Sequence, residues 1–242
     1  MKWLDRSVIT FLGPLLWVQG KYTRIKTPVL PEACGERAGV QGKGPLLRLL
    51  VVGDSAAAGV GVEHIKDALP GRLVEKLSGG YTVSWALLAQ SGLNTEQICQ
   101  LLASVQPVEY DIAVVSAGVN DVKGLRRVED WLDNMDQVIS LLQEKYSVKH
   151  IVISPVPPMH GFSALPQPLR WYLGARAKRF NQHLQKLLAA HSSCSLLAND
   201  FPLEADFLAE DGFHPSLKTY DRWANEASDV ISHYLRQVSA AS

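Results

Sequence analysis

Five short apolar runs, separated by longer stretches in which apolar residues recur at helical spacing, constrain what this chain can fold into. Such runs are too short for helices yet apolar enough to be buried on both faces, the pattern of strands in a parallel sheet. Parallel neighbours cannot be joined by a hairpin, so the amphipathic stretches between the runs serve as crossover helices. The alternation predicts a three-layer α/β/α domain, one sheet with helices on both faces.

The runs are 46–52 (LLRLLVV), 81–89, 111–116 (DIAVVS), 150–154 and 194–198. The fourth opens on Pro155-Val156-Pro157-Pro158, and prolines cannot continue a central strand. A helix carrying Ile98, Leu101, Leu102 and Val105 is capped by Asn94 or Thr95. A longer one presents Trp131, Leu132, Met135, Val138, Ile139 and Leu142 as its buried stripe. Further helices are expected over 169–191 and from Ser216, the latter reached through an irregular stretch after residue 198.

The N-terminus departs from this pattern. Lys2 and Arg6 precede an apolar run over 8–18 that is too short to span a bilayer and is interrupted by Gly13-Pro14. Beyond it the chain continues Gln19-Gly20-Lys21-Tyr22, basic and bulky where a cleaved signal would place small residues. The expectation is a retained segment, either packed on the domain or in peripheral contact with a membrane through residues 8–18, in a cytoplasmic or membrane-peripheral protein. Residues 31–45, with Gly35, Gly39, Gly42 and Gly44, read as a linker. The expected organisation is therefore an N-terminal segment and linker over 1–45 and one domain over 46–242.

Lysine plus arginine balance aspartate plus glutamate at 24 each, so no positive field draws in a phosphate backbone, and nucleic acid is excluded as a partner. Cys34, Cys99 and Cys194 are odd in number and far apart, which excludes a fully paired disulfide framework and any C-x-x-C motif. They read as buried free thiols. Nothing in the sequence bears on oligomeric state.

In open parallel sheets ligands sit outside the carboxyl ends of the strands. Ser55 follows the first run, Gly92 the second, Gly118 to Asp121 the third, and Asp211 to His214 lie beyond the fifth. A serine hydroxyl needs a base to become a nucleophile, and His214 is the histidine set in a rim loop beside an orienting carboxylate, Asp211. Charge developing on a carbonyl oxygen needs preplaced donors, and the candidates are the Ser55 N–H at a helix start, the Gly92 N–H and the Asn120 side-chain amide.

Gly53-Asp54-Ser55, Gly92, Gly118-Val119-Asn120-Asp121 and Asp211-Gly212-Phe213-His214-Pro215 resemble, in order and spacing, the four blocks of the SGNH hydrolases, also called GDSL esterases and lipases. The resemblance covers residue 46 to the C-terminus. It implies a flavodoxin-like sheet of five parallel strands in the order 2-1-3-4-5, an acyl-serine intermediate, no metal and no cofactor. It also implies that Ser55, Asp211 and His214 are catalytic and that Ser55, Gly92 and Asn120 form the oxyanion hole. The leucine of the GDSL signature is Ala56 here, which bears on pocket shape rather than on the nucleophile.

Each residue has a structural alternative. Ser55 alone is a helix cap, Asn120 and Asp121 an Asx-turn, Asp54 a loop-fixing carboxylate, and Gly53 and Gly118 turn glycines. His64, His150, His160, His183, His191 and His233 lack ligand spacing and read as surface or loop residues, with His160 placed to wall a pocket. Neither a P-loop nor a G-x-S-x-G elbow is present around Ser55. Met159, Phe162, Leu165, Trp171 and Tyr172 lie in a segment expected near the rim, which favours acyl or aryl esters as small-molecule substrates. Sugar acetates or acyl thioesters suit the same residues. A reading of another class is a peripheral membrane module whose hydrolase rim is vestigial.

Overall fold

The computed structural model describes residues 2–198 and 204–241; side chains at 2–9, 205 and 241 also lie outside the description, as does the part of the irregular stretch at 199–203. The strands are β1 (Ala38–Gln41), β2 (Leu46–Gly53), β3 (Thr82–Ala89), β4 (Ile112–Ser116), β5 (His150–Ser154) and β6 (Cys194–Leu196). They form one sheet in the order β1-β3-β2-β4-β5-β6. Strands β2 to β6 are mutually parallel in the predicted 2-1-3-4-5 arrangement. The sheet has six strands rather than five. Part of the stretch read as a linker supplies the extra one, β1, which pairs antiparallel with β3 at the sheet edge. Its sequence, AGVQ, is exposed along its length and carries no apolar alternation that would mark it as a strand. An open edge ladder, not side-chain burial, accounts for its pairing.

The helices are α1 (Lys2–Lys26), α2 (Leu69–Leu77), α3 (Thr95–Ser104), α4 (Val119–Lys123), α5 (Val128–Glu144), α6 (Leu169–Leu188) and α7 (Leu217–Ala241). Side-chain alternation along the central strands divides the core into two layers. Leu47, Leu49 and Val51 of β2 join Leu73 of α2 and Trp223 and Ile231 of α7 on one face. Leu50 and Val52 join Ile98, Trp131, Met135 and Phe180 of α3, α5 and α6 on the other. Asn94 caps α3, accepting from Gln97 N–H while the Gln97 side chain accepts from the Asn94 N–H, a reciprocal capping box.

Helix α1 rests on the N-terminal end of α6. Leu16 enters the core, and the Gln19 side chain donates to Gln167 O at 2.6 Å while accepting from Leu169 N–H at 3.0 Å. No helix among the described residues is long and apolar enough to cross a membrane. Two readings of buried and exposed groups change. His150 is buried in β5, stacked on Tyr234 and bonded to Ser195 Oγ at 2.9 Å, because its strand is covered there by α7. Of the thiols, Cys99 is buried, Cys194 half-buried and Cys34 exposed, with its sulfur 2.9 Å from His64 Nδ1.

Candidate active site

The sheet register aligns Ala89 with Gly53, Gly53 with Ser116, and Ser116 with Ser154, so the carboxyl ends of β3, β2, β4 and β5 form one straight rim. Ser55 lies two residues beyond β2. No helix starts there, contrary to expectation. The chain instead runs through turns to Gly59 and Gly61, whose φ of +82° and +107° end any helical winding. Asp54 Oδ1 accepts the Ala56 N–H at 3.2 Å, and the Tyr220 hydroxyl of α7 lies 2.9 and 2.8 Å from the carbonyls of Ala56 and Val60. These contacts hold the loop while leaving the Ser55 hydroxyl to point elsewhere, so its capping alternative fails.

That hydroxyl lies 3.0 Å from His214 Nε2, and His214 Nδ1 lies 2.6 Å from Asp211 Oδ2. The second Asp211 oxygen accepts both the Phe213 and His214 N–H groups at 2.9 Å, an Asx-turn that Gly212, at φ +65°, allows to close. The Asp211 side chain is fully buried and that of His214 is 21 % exposed. Burial works to raise the Asp211 pKa, but the bonds from His214 and Phe213 outweigh it and hold the carboxyl below its ordinary value. The group therefore stays ionised and can keep Nδ1 protonated, leaving Nε2 free to take a proton from Ser55.

Gly92 has φ +85°, and a Cβ there would meet nothing within 4 Å, so its backbone is open to approach. Among the described residues neither the Ser55 nor the Gly92 N–H has a protein acceptor. Asn120 Nδ2 donates to Leu93 O at 2.9 Å and lies 3.5 Å from Asp54 Oδ2. The first bond ties the Asn120 helix to the Gly92 loop; the second contact is long, so that hydrogen is weakly held and can be offered to a substrate oxygen. Asp121 is structural: its Oδ2 accepts the N–H and hydroxyl of Thr95 at 3.0 and 2.8 Å.

Several supporting residues escaped the sequence reading. Glu32 reaches back from the supposed linker to accept the Ser91 N–H at 2.6 Å, beside Gly92, and is itself held by Arg37 at 3.1 Å. Asn181 of α6 brackets Val156, accepting its N–H and donating to its carbonyl at 2.8 Å each, which fixes the loop after β5. Trp223 of α7 donates to Ser154 Oγ at 2.9 Å. Only the fold brings Glu32, Asn181 and Trp223 to Ser91, Val156 and Ser154, each at least 25 residues away in sequence.

Ser55 and His214 open onto a partly open cleft with a cavity volume of about 80 Å³. Its walls include Pro155, Pro157, Pro158 and Phe162 from the segment after β5, and Phe207, Leu208, Phe213 and Trp223 from the C-terminal part of the chain. Of the segment expected to wall it, Phe162 alone does so among the named residues; Met159, Leu165 and Tyr172 are buried in the core and Trp171 is exposed. His160 is exposed and packs on Gly174 of α6 instead. Phe162 meets Phe213 edge-on at 4.8 Å, Phe213 meets His214 at 5.2 Å, and Lys123 Nζ lies 4.8 Å above the Phe213 ring.

Burial pushes the Asp54 pKa up to about 6, against the pull of the Ala56 N–H, Lys123 and His214. Lys123 is exposed as a residue, but its ammonium end is enclosed. That enclosure lowers its pKa, Asp54 opposes the change and Arg24 of α1 adds to it. No grouping of three or more histidine, cysteine, aspartate or glutamate side chains suited to a metal ion occurs among the described residues.

Solved structures share this fold. The lipase/acylhydrolase from Enterococcus faecalis is 20 % identical, with TM-score 0.58 over 78 % of this chain and 96 % of that one. The psychrotrophic esterase EstA from Pseudoalteromonas sp., in a structure inhibited by monoethylphosphonate, is 18 % identical, with TM-score 0.58 over 78 % and 98 %. Est24, a carbohydrate acetylesterase from Sinorhizobium meliloti, is 15 % identical, with TM-score 0.56 over 78 % and 99 %. At these identities the likeness establishes the fold. No curated protein matches the chain by sequence. A model of the GDSL-like lipase/acylhydrolase family matches residues 51–222, and the chain belongs to that family.

Proposed function

We propose that this protein is a serine esterase that hydrolyses short- to medium-chain acyl or aryl esters through an acyl-serine intermediate. The observation that carries the reading is the continuous relay from Asp211 Oδ2 through His214 to Ser55 Oγ, at 2.6 and 3.0 Å, opening onto an apolar cleft. In this reading His214 Nε2 accepts the Ser55 proton as Oγ attacks the ester carbonyl. The Ser55 and Gly92 N–H groups and Asn120 Nδ2 receive the oxyanion. Collapse expels the alcohol, which takes the proton from His214, and water, deprotonated by His214, releases the acid. Prolines and aromatic rings along the cleft favour an acyl or aryl group over a sugar, each buried methylene contributing about 0.8 kcal/mol, or roughly fourfold in kcat/KM.

A second reading keeps the residues and changes the substrate to sugar acetates, and it is favoured by the acetylesterases among the fold neighbours, Est24 and an acetylxylan esterase from Geobacillus stearothermophilus. Nothing supports the vestigial, non-enzymatic reading. The test is labelling by a fluorophosphonate probe, with turnover of p-nitrophenyl esters of increasing chain length set against acetylated xylan. Ser55→Ala should abolish labelling and lower kcat by about 10⁴-fold or more. Equal labelling of both proteins rejects the mechanism, and turnover confined to acetylated xylan rejects the acyl or aryl preference.

A further inference from the structure

Helix α1 buries one face and leaves another bare. Leu12, Leu16 and Gln19 face the domain, while Phe11, Leu15, Val18, Tyr22 and Ile25 line the outer face at helical spacing. These five are strongly exposed, Phe11 by 83 % and Ile25 by 86 %. An apolar stripe of this length on a soluble surface marks a contact with another phase or partner.

Charge decides which. Residues 10–26 contain Lys21, Arg24 and Lys26 and no aspartate or glutamate. Two lysines flank the stripe on opposite sides, each with its ammonium over an aromatic ring: Lys21 over Trp17 at 4.1 Å and Lys26 over Tyr22 at 5.4 Å. Ring and amine together suit the zone between acyl chains and headgroups, where the ring is half wet and the amine reaches outward. Across residues 10–26 a second copy would set these same cations against one another, with no aspartate or glutamate in the stretch to pair them. Gln19 and Leu16 fasten the inner face to α6, so the helix can lie in a surface and cannot insert across one.

We propose that α1 docks this protein on anionic lipid bilayers, with the Phe11 to Ile25 stripe among the acyl chains and Lys21, Arg24 and Lys26 at the headgroups. The proposal does not depend on the esterase reading. Arg24, near the C-terminal end of α1, helps lower the pKa of Lys123, whose Nζ lies 4.8 Å from the ring of the cleft residue Phe213.

The test is flotation of the full chain with phosphatidylcholine vesicles, with and without phosphatidylglycerol, at low and high salt. The wild type should float with the phosphatidylglycerol vesicles and be released by salt. Phe11→Ser/Val18→Ser/Ile25→Ser should lower partitioning by about tenfold or more, since affinity scales with the apolar area inserted. Lys21→Gln/Arg24→Gln/Lys26→Gln should lower it on the order of 100-fold at low salt, each cation contributing about fivefold. An unchanged melting curve shows that either variant is folded, and the charge variant decides alone should the serine variant unfold. Failure of the wild type to float with phosphatidylglycerol vesicles overturns the proposal. So does undiminished flotation of a folded variant, or a dimer in solution that the serine variant dissociates without any vesicle binding by the wild type.

Discussion

Replacing Asp54 by asparagine should make the protein progressively more stable, relative to wild type, as pH rises from acid to neutral. Asp54 is 2 % exposed, and burial raises its pKa from 3.8 to about 6. A raised carboxyl binds its proton more tightly in the folded state, so its contribution to stability is full below about pH 4, declines as pH rises through about 6, and is then lost. The difference between the two values corresponds to about 3 kcal/mol at about 1.4 kcal/mol for each pH unit. For a domain of this size that is about 6 to 12 °C in melting temperature. Asp54→Asn removes the ionisation while keeping an oxygen to accept the Ala56 N–H. Its new amide meets Asn120 Nδ2, a cost that shifts the curve equally at every pH and leaves its slope alone. The assay is thermal unfolding of both proteins in matched buffers from pH 4 to pH 8, plotting variant minus wild type. The difference should climb by the stated amount between pH 4 and pH 7.5. A flat difference, or one that falls as pH rises, refutes the reasoning, because the ionised carboxylate would then be compensated in full.

Glu32 acts as a positioning residue through the Ser91 N–H, a bond to a charged acceptor of about 1.5 to 3 kcal/mol. Glu32→Ala should lower kcat about tenfold with KM changed less than about twofold, and Glu32→Gln should restore most of it; a loss in KM alone would reject the role. Phe162→Ala should open the cleft, raising the ratio of kcat/KM for octanoate over acetate esters about tenfold. The ratio is independent of how much variant is folded, so an unchanged value would remove Phe162 from the acyl wall.

The five parallel strands and the four blocks at the rim were legible in the sequence because their signals are local. Apolar runs buried on both faces announce central strands, and Asp211, Gly212 and His214 carry their own turn. Sequence alone also marked residues 8–18 as anomalous, since an apolar run beside basic residues needs no partner to be noticed. Tertiary structure decided the rest. Strand β1 exists because a sheet edge offers it a ladder, which four exposed residues could not advertise. Glu32, Asn181, Tyr220 and Trp223 act on groups remote in the chain, and Phe207, Leu208 and Trp223 reach the cleft through the packing of α7 and the segment before it. The sequence thus determined which residues could perform the chemistry, through short-range pattern. Only the fold determined what holds them and what surrounds the substrate, because those contacts join segments that share no periodicity.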